Sequence, residues 1–247
     1  MDRLIYVAMT GAKHILSQQT TVSQNLANVS TNGFRAQVDA FRSVPVIGPG
    51  LATRAYVVDA TVGTDFRPGA IQTTGRDLDL AINGTGWIAV QGPDGKEGYT
   101  RYGSLMVNAN GVLQTRTGLN VLSGGGTLSV PPDSNITVAK DGTVSVVSTI
   151  GTPNQISEVG RIKLVNPPEE NLVRGDDGLF HLRDGGTADV DETIALNSGS
   201  LETSNVNASQ SLVNMISLAR QFDLHMKLLQ KAEQNDAKSA QILSQNG

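Results

Sequence analysis

The sequence predicts an α+β protein in which long helices at the two ends pair as a coiled coil and flank a central all-β domain. Apolar residues recur in steps of three and four near both ends, and the middle is rich in turn-forming dipeptides. Pro and Gly interrupt the stretch between these regions. We therefore expect an N-terminal helix at 1–33, an extended connector at 34–75, a small barrel or sandwich at 76–200 and a C-terminal helix at 201–247.

The N-terminal helix is predicted from an apolar stripe with the helical period. Its members are Met1, Ile5, Ala8, Ala12, Ile15, Gln19, Val22, Leu26 and Val29. Only Gln19 interrupts the apolar series, and Gly11 weakens the helix by about 1 kcal/mol relative to Ala. We expect the helix to span most of 3–30, with Asn32 and Gly33 as a left-handed C-cap.

The connector between the first helix and the β domain is predicted to be extended. Its breaks include Pro45, Pro49, Pro68 and Gly69, with short β-branched pieces between them. Such a pattern is typical of edge strands rather than of a helix or a central strand.

The central region has the pattern of short strands joined by hairpins. Strands are predicted at 77–82 and 87–90, and the clearest hairpin pairs 136–138 with 144–146. The turn dipeptides are Asp94-Gly95, Asn110-Gly111, Asp141-Gly142, Asp177-Gly178 and Asp184-Gly185. So many turns between short strands indicate a small twisted barrel or sandwich.

The C-terminal helix is predicted from a second stripe of the same period. Its apolar members are Leu212, Met215, Ala219, Phe222, Met226 and Leu229. Asn207 suits an N-cap, with Gln210 at the third helical position, and no Gly or Pro follows before Asn246. Either stripe alone is equally typical of an ordinary core helix. Two stripes at opposite ends, with β-type sequence between them, favour pairing of the terminal helices.

The sequence contains no catalytic or metal-binding constellation. It has no Cys, which excludes disulfides, thiolate ligands and thiol nucleophiles. His14, His181 and His225 lack the spacing of metal ligands. Asp77 and Asp79 alternate onto one strand face as a glycosidase pair would, but any half-solvated strand shows this pattern. We expect no enzyme activity, no cofactor and no small-molecule substrate.

Charge and hydropathy exclude two further classes of function. The net charge is -4, and the 19 basic and 23 acidic residues are well mixed, so no basic run predicts nucleic-acid binding. The apolar run 4–9 behind Asp2 does not have the pattern of a secretory signal peptide, and no stretch approaches transmembrane length. If the protein leaves the cytoplasm, we expect it to do so without a cleaved signal.

Four segments closely resemble those of the bacterial flagellar rod and hook proteins. The first carries Asn25, Leu26, Ala27, Asn28, Gly33 and Phe34. The others are 75–87, 99–118, and 199–207 followed by 219–222, so the resemblance covers nearly the whole chain. Within that family, 1–6, 41–45 and 159–167 are most similar to the proximal rod proteins.

The resemblance implies a structural subunit of the flagellar basal-body rod. Such proteins pass unfolded through the flagellar type III export apparatus and polymerise in the periplasm into a hollow tube, lined by their paired terminal helices. The implied partners are copies of the chain, other rod proteins and the export apparatus. The implied assembly residues are Ile5, Ala12, Ile15, Val22, Leu26, Leu212, Met215, Ala219, Phe222, Met226 and Leu229.

Two alternatives remain open at this point: a distal rod protein of the same family, or a cell-wall carbohydrate-binding β protein with Trp87 as its aromatic platform. The helices also carry more apolar residues than one seam can bury, such as Leu16, Ile216 and Leu228. We therefore expect them to become fully ordered only on assembly. Phe34 is expected to pack the connector onto the base of the first helix.

Overall fold

The computed structural model describes residues 2–45, 55–131, 134–148 and 156–245, which form two compact units. The helical unit contains the described parts of 1–29, 36–65 and 206–247. The β unit contains those of 30–35 and 66–205. Two helices together with many short strands make this an α+β protein. The stretch predicted as one connector is divided between the two units.

The helical unit consists of two helices and a β-hairpin. Its elements are α1 (Asp2–Ala27), β1 (Gln37–Pro45), β2 (Ala55–Thr64) and α2 (Ala208–Gln245). Helix α1 packs against α2 and against both strands of the hairpin. The Asn207 side chain accepts the Gln210 backbone N–H at 3.0 Å, which confirms the predicted N-cap. Helix α1 ends at Ala27, so the prediction that Gly33 is its C-cap is wrong.

Polar side chains of α1 hold the hairpin strand β1 alongside it. The Asn25 amide donates to the Gln37 carbonyl and accepts the Gln37 N–H, both at 2.8 Å. The Thr21 hydroxyl donates to the Asp39 carboxylate at 2.8 Å. Because Thr21 and Asn25 are four residues apart, they lie on one face of the helix. Part of the predicted connector is therefore a strand pair attached to α1.

The two helices differ in how well the predicted stripe matches the inward face. On α1, Ala8, Ala12 and Ile15 are buried as predicted. On α2, the predicted Met215, Phe222 and Leu229 are half-buried, and they share this less exposed face with Ser211, Leu218, His225 and Ala232. The predicted seam residues Leu212, Ala219 and Met226 are exposed. Since α2 carries apolar residues on several faces, their spacing alone did not determine which face turns inward.

The β unit is built from short antiparallel strands. Its strands are β3 (Ile71–Thr73), β4 (Leu80–Asn83), β5 (Trp87–Gln91), β6 (Glu97–Thr100), β7 (Leu105–Val107), β8 (Leu113–Thr115), β9 (Leu122–Ser123), β10 (Gly126–Thr127), β11 (Ser134–Val138), β12 (Thr143–Ser148), β13 (Ile156–Arg161), β14 (Leu164–Val165), β15 (Leu172–Arg174), β16 (Phe180–Leu182), β17 (Ala195–Ser198) and β18 (Ser200–Glu202). A single 3₁₀ turn, Glu169–Asn171, is found among the described residues of this unit.

The strands of the β unit are distributed over several small sheets. The largest has the order β14-β5-β6-β16-β15, and a three-stranded sheet has the order β11-β12-β13. The remaining strands form the pairs β10-β9, β17-β4, β18-β3 and β7-β8. Four of the five predicted turns join paired strands, whereas Asp184-Gly185 closes a turn after β16.

Strand β5 shows how the β unit builds two cores. Its residues alternate, so Ile88 and Val90 belong to the larger aliphatic core, while Trp87 and Ala89 belong to a smaller core with Phe180. All four strand residues are almost completely buried. A strand covered on both faces has a continuous apolar sequence, as residues 87–90 do. The predicted strand at 87–90 is confirmed.

Candidate assembly surface

A buried charge cluster in the β unit consists of Arg35, Arg101 and Glu202. The Arg35 guanidinium pairs with Glu202 Oε1 at 2.6 Å, and Arg101 pairs with Glu202 Oε2 at 3.0 Å. All three side chains are at least 96% buried. The Arg101 guanidinium also donates to the Gly84 carbonyl at 2.6 Å. Charges buried this deeply are tolerated only when they are paired.

The ring of Trp87 lies beneath the two arginines of the cluster. The guanidinium carbons of Arg35 and Arg101 are 5.9 and 5.5 Å from its centroid, within the range of cation–π attraction. Burial lowers the pKa of Arg101, an effect that the adjacent Glu202 carboxylate opposes. Two cations share one anion, so both arginines depend on Glu202.

Backbone hydrogen bonds extend the cluster across three chain segments. The Gly33 N–H donates to the Glu202 carbonyl, and the Gly69 N–H donates to the Glu202 carboxylate, both at 2.8 Å. The Asn205 N–H donates to the Phe34 carbonyl at 3.3 Å. These are the segments through which the chain enters and leaves the β unit, so the cluster fixes their mutual positions within it.

The segment Gly33–Arg35 fits the β unit through backbone as well as side-chain contacts. Gly33 has φ 69°, and a Cβ at this position would collide with the Arg101 backbone. Phe34 is buried, with the Arg174 guanidinium 4.5 Å from its ring centroid. Phe34 thus packs within the β unit, contrary to the predicted packing on the base of the first helix.

The carboxylates considered for catalysis have separate structural roles. Asp79 is buried and accepts the hydroxyls of Ser104 at 2.8 Å and Thr74 at 2.9 Å. Asp77 is exposed. The Asp79 carboxylate is thus engaged by two hydroxyl donors within the β unit.

Two of the three histidines, His14 and His181, are explained by ring packing and hydrogen bonding. His181 lies 3.0 Å from the Asp177 carboxylate and 3.1 Å from the Glu97 carbonyl. The His14 ring meets the edge of Phe41, 5.5 Å between centroids. Within the described ranges, no three His, Asp or Glu residues are placed to hold a metal ion. No helix in this part of the chain is long and apolar enough to cross a membrane.

Both terminal helices expose large apolar side chains. Eight of these are between 48% and 60% exposed: Tyr6, Met9, Leu16, Leu212, Val213, Ile216, Leu224 and Leu228. Single exposed apolar residues are ordinary on protein surfaces, but here they recur along both helices.

The predicted assembly residues divide between the inward and exposed faces of the helical unit. Those that are buried or half-buried are Ala12, Ile15, Val22, Leu26, Met215, Phe222 and Leu229. Leu212, Ala219 and Met226 are exposed, and the side chain of Ile5 lies outside the described residues. Of the motif residues, Asn25 binds the hairpin, and Gly33 and Phe34 belong to the β unit. The sequence pattern did not predict the charge cluster, although Arg35 and Glu202 both lie in segments that carry the family resemblance.

Comparison with known proteins identifies the family of this architecture. Residues 5–35 match the family described as flagella basal body rod protein, and residues 197–242 match the C-terminal region of the flagellar basal body rod FlgEFG proteins. Residues 81–146 match the D1 domain of flagellar hook protein FlgE/F/G. The flagellar basal-body rod protein FlgF of Salmonella typhimurium strain LT2 is 43% identical over 250 residues, covering 99% of both chains. The chain belongs to the flagellar basal-body rod protein family.

Two further rod proteins are similar over nearly the whole chain. FlgF of Escherichia coli strain K12 is 43% identical over 250 residues and also covers 99% of both chains. FlgG of Buchnera aphidicola subsp. Schizaphis graminum is 31% identical over 261 residues, covering 96% of this chain and 98% of its own.

Each member of the charge cluster lies in a different one of the three segments that match rod and hook family models. Arg35 lies in the N-terminal match, Arg101 in the central match and Glu202 in the C-terminal match. The cluster therefore joins three separately matched segments into one folded unit.

Proposed function

We propose that this rod-family protein is a proximal rod subunit that polymerises through its terminal helices into the hollow shaft required for flagellar motility. The series of exposed apolar residues along α1 and α2 is the observation that carries this proposal. Burying these side chains against neighbouring subunits would remove them from water, which is favourable by about 25 cal/mol per Å² of apolar surface.

The helices have two tasks in this proposal. Inward residues such as Ala12, Ile15 and Phe222 pair α1 with α2 of the same chain as a coiled coil. Exposed residues such as Leu224 and Leu228 contact other copies and other rod proteins. Staggered copies make head-to-tail contacts that do not close, which is the symmetry condition for a tube built on a helical path.

The proximal role is favoured over the two alternatives. The two FlgF relatives named above are 43% identical to this chain, whereas the FlgG relative named above is 31% identical. The carbohydrate-binding alternative needs an exposed aromatic platform, but Trp87 is 4% exposed and covered by two guanidinium groups. We place the subunit in the basal-body rod, reached through the flagellar export apparatus without a cleaved signal.

The test compares the full chain with the fragment 30–205, which retains the charge cluster. Circular dichroism and sedimentation are measured over a range of concentrations. The full chain should gain helix as it self-associates, because ordering and burial of the helices are coupled. The fragment should remain β-rich and monomeric. A full chain that is fully helical and monomeric at every concentration would contradict the proposal.

Matched variants assign the effect to the exposed helix face. Leu224→Glu and Leu228→Glu place a charge where the proposal puts a subunit contact, and should abolish self-association and fail to restore motility to cells lacking their own subunit. Gln230→Glu adds the same charge at an exposed polar position and should retain both. Equal behaviour of all three variants would refute the assignment of this face.

A further inference from the structure

The glycine of α1 lies directly against a histidine of α2. A Cβ added at Gly11 would lie 2.6 Å from His225 Cε1, 3.0 Å from Nδ1 and 3.3 Å from Nε2. Three ring atoms within this distance show that the imidazole packs against the helix backbone. No residue with a side chain fits at position 11 unless the ring moves.

His225 lies on the inward face of α2 among apolar residues. Phe222 precedes it by three positions and Leu229 follows by four, and all three are half-buried. Its Nδ1 is buried and has no hydrogen-bond partner among the described residues. An apolar side chain at this position would avoid that unpaired atom, so stability of the helix pair does not explain the histidine.

We propose that Gly11 and His225 set the register in which α1 pairs with α2. A polar residue in a helix seam can select one register at the expense of stability. Gly11 is the single glycine of α1, so sliding the helices would place the ring against a position that carries a Cβ. Ala8 and Ala12 keep the surroundings of Gly11 small.

We call the contact between Gly11 and His225 the register lock. It would give the proposed rod subunit specificity for its own helix. It rests on the proposed function, because recognition matters when helices of several similar chains pack side by side. A helix without a glycine opposite His225 is a worse partner, so α2 favours α1 of this chain over the helices of other rod proteins as the helices order on assembly.

The test is a double-mutant cycle in the full chain, at a concentration at which the helices are formed. Gly11→Ala should lower the thermal midpoint of the helix signal by several degrees. In the His225→Ala background, the same change should raise it, because Ala favours a helix over Gly. Ser23→Ala, at an exposed position of α1, controls for helix propensity and should behave alike in both backgrounds.

A structural readout separates a register lock from simple packing. The ring current of His225 should shift the Gly11 α-protons in the NMR spectrum, and His225→Ala should remove that shift. His225→Leu should match or exceed the parent midpoint but give more than one Gly11 resonance, since the register is no longer unique.

Two outcomes would overturn the register proposal. One is a Gly11→Ala effect that is the same with and without His225. The other is a single Gly11 resonance in His225→Leu. Sedimentation of the parent chain is scored separately, because concentration-dependent assembly without the coupling would refute only the register lock. A coupling in a chain that never assembles would refute only the proposed function.

Discussion

The β unit completes its own core, whereas the helical unit does not. In the β unit, Leu105, Leu113 and Ile162 are fully buried, and even its charged cluster is sealed from water. In the helical unit the least exposed apolar side chain is Ile15, still 6% exposed, among the side chains that the structure describes. On its outer faces, Leu and Ile side chains are about half exposed. One chain therefore combines a unit with fully buried cores and a unit in which every described apolar side chain is at least partly exposed.

This difference separates two uses of apolar residues. Apolar surface that is buried within a unit stabilises the fold of that unit. Apolar surface that stays exposed can stabilise only a complex in which a partner covers it. Substitutions in the β unit should therefore act on folding of the single chain, and substitutions on the helices should act on assembly.

The largest effect is expected from Glu202→Gln. It leaves the buried guanidinium groups of Arg35 and Arg101 without an opposing charge, a loss of about 3–5 kcal/mol in the free energy of unfolding. Urea denaturation of the full chain, followed by the fluorescence of Trp87, measures it. Glu192→Gln, which disrupts a solvent-exposed ion pair with Arg161, is the control and should change stability by less than about 1 kcal/mol. Comparable losses in the two variants would contradict the role of the cluster.

The next-largest effect is expected from a comparison of two Leu→Ala substitutions, one at a buried and one at an exposed position. Leu105→Ala opens a cavity in the aliphatic core of the β unit and should cost about 2–5 kcal/mol in urea denaturation. Leu224→Ala, on the exposed face of α2, should change the stability of the dilute chain by less than about 0.5 kcal/mol. In sedimentation the relative effects of the two substitutions reverse, and only Leu224→Ala should weaken self-association. A large loss of monomer stability in Leu224→Ala would show that this face is already covered.

A smaller effect is expected where α1 holds the hairpin. Asn25→Ala removes two hydrogen bonds to the Gln37 backbone and should destabilise the helical unit by about 1–3 kcal/mol. Hydrogen exchange of the β1 amides measures this, because the strand should open more often. Gln24→Ala, at a neighbouring exposed position, is the control. Unchanged exchange in β1 would mean that the strand pair is stable without α1.

The smallest effect under ordinary conditions is the response of the β unit to alkali. Burial raises the pKa of Tyr99 to about 12, and its hydroxyl oxygen accepts the Ala188 N–H at 2.6 Å. The neutral phenol favours the folded state, so the free energy of unfolding should fall as the pH rises from about 10 to about 12. Phenolate absorbance should show one of the four tyrosines ionising near pH 12. Tyr99→Phe should remove that late step, and its survival would assign the step to another residue.

Local patterns predicted the parts of the fold that depend on neighbouring residues. The stripe containing Ala8, Ala12 and Ile15 placed α1 correctly, because one side of that helix is clearly more apolar. The turns at Asp141-Gly142 and Asp177-Gly178 were predicted because their chemistry is specific to tight hairpins.

The remaining features depend on partners that are far away in the sequence. Gly33 has the positive φ that its sequence context predicted, but it serves the approach to the Arg101 backbone and not a helix end. Arg101 and Glu202 are 101 positions apart, and charged residues in isolation resemble solvated surface groups. His225 fills a gap that exists only because Gly11 lies opposite, and no single-helix pattern contains that information.

The position of Glu202 near the end of the β unit has a consequence for the order of folding. Its carboxylate accepts a hydrogen bond from the N–H of Gly69, which is 133 positions away in the sequence. It accepts another from the guanidinium of Arg101, which is 101 positions away. Contacts of such high sequence separation form late, because a long loop must close before any of them is gained. A chain that emerges from a narrow passage one end first cannot close the β unit until both Arg35 and Glu202 are free. In a chain that emerged in this way, the β unit would be completed only after almost all of it had passed through.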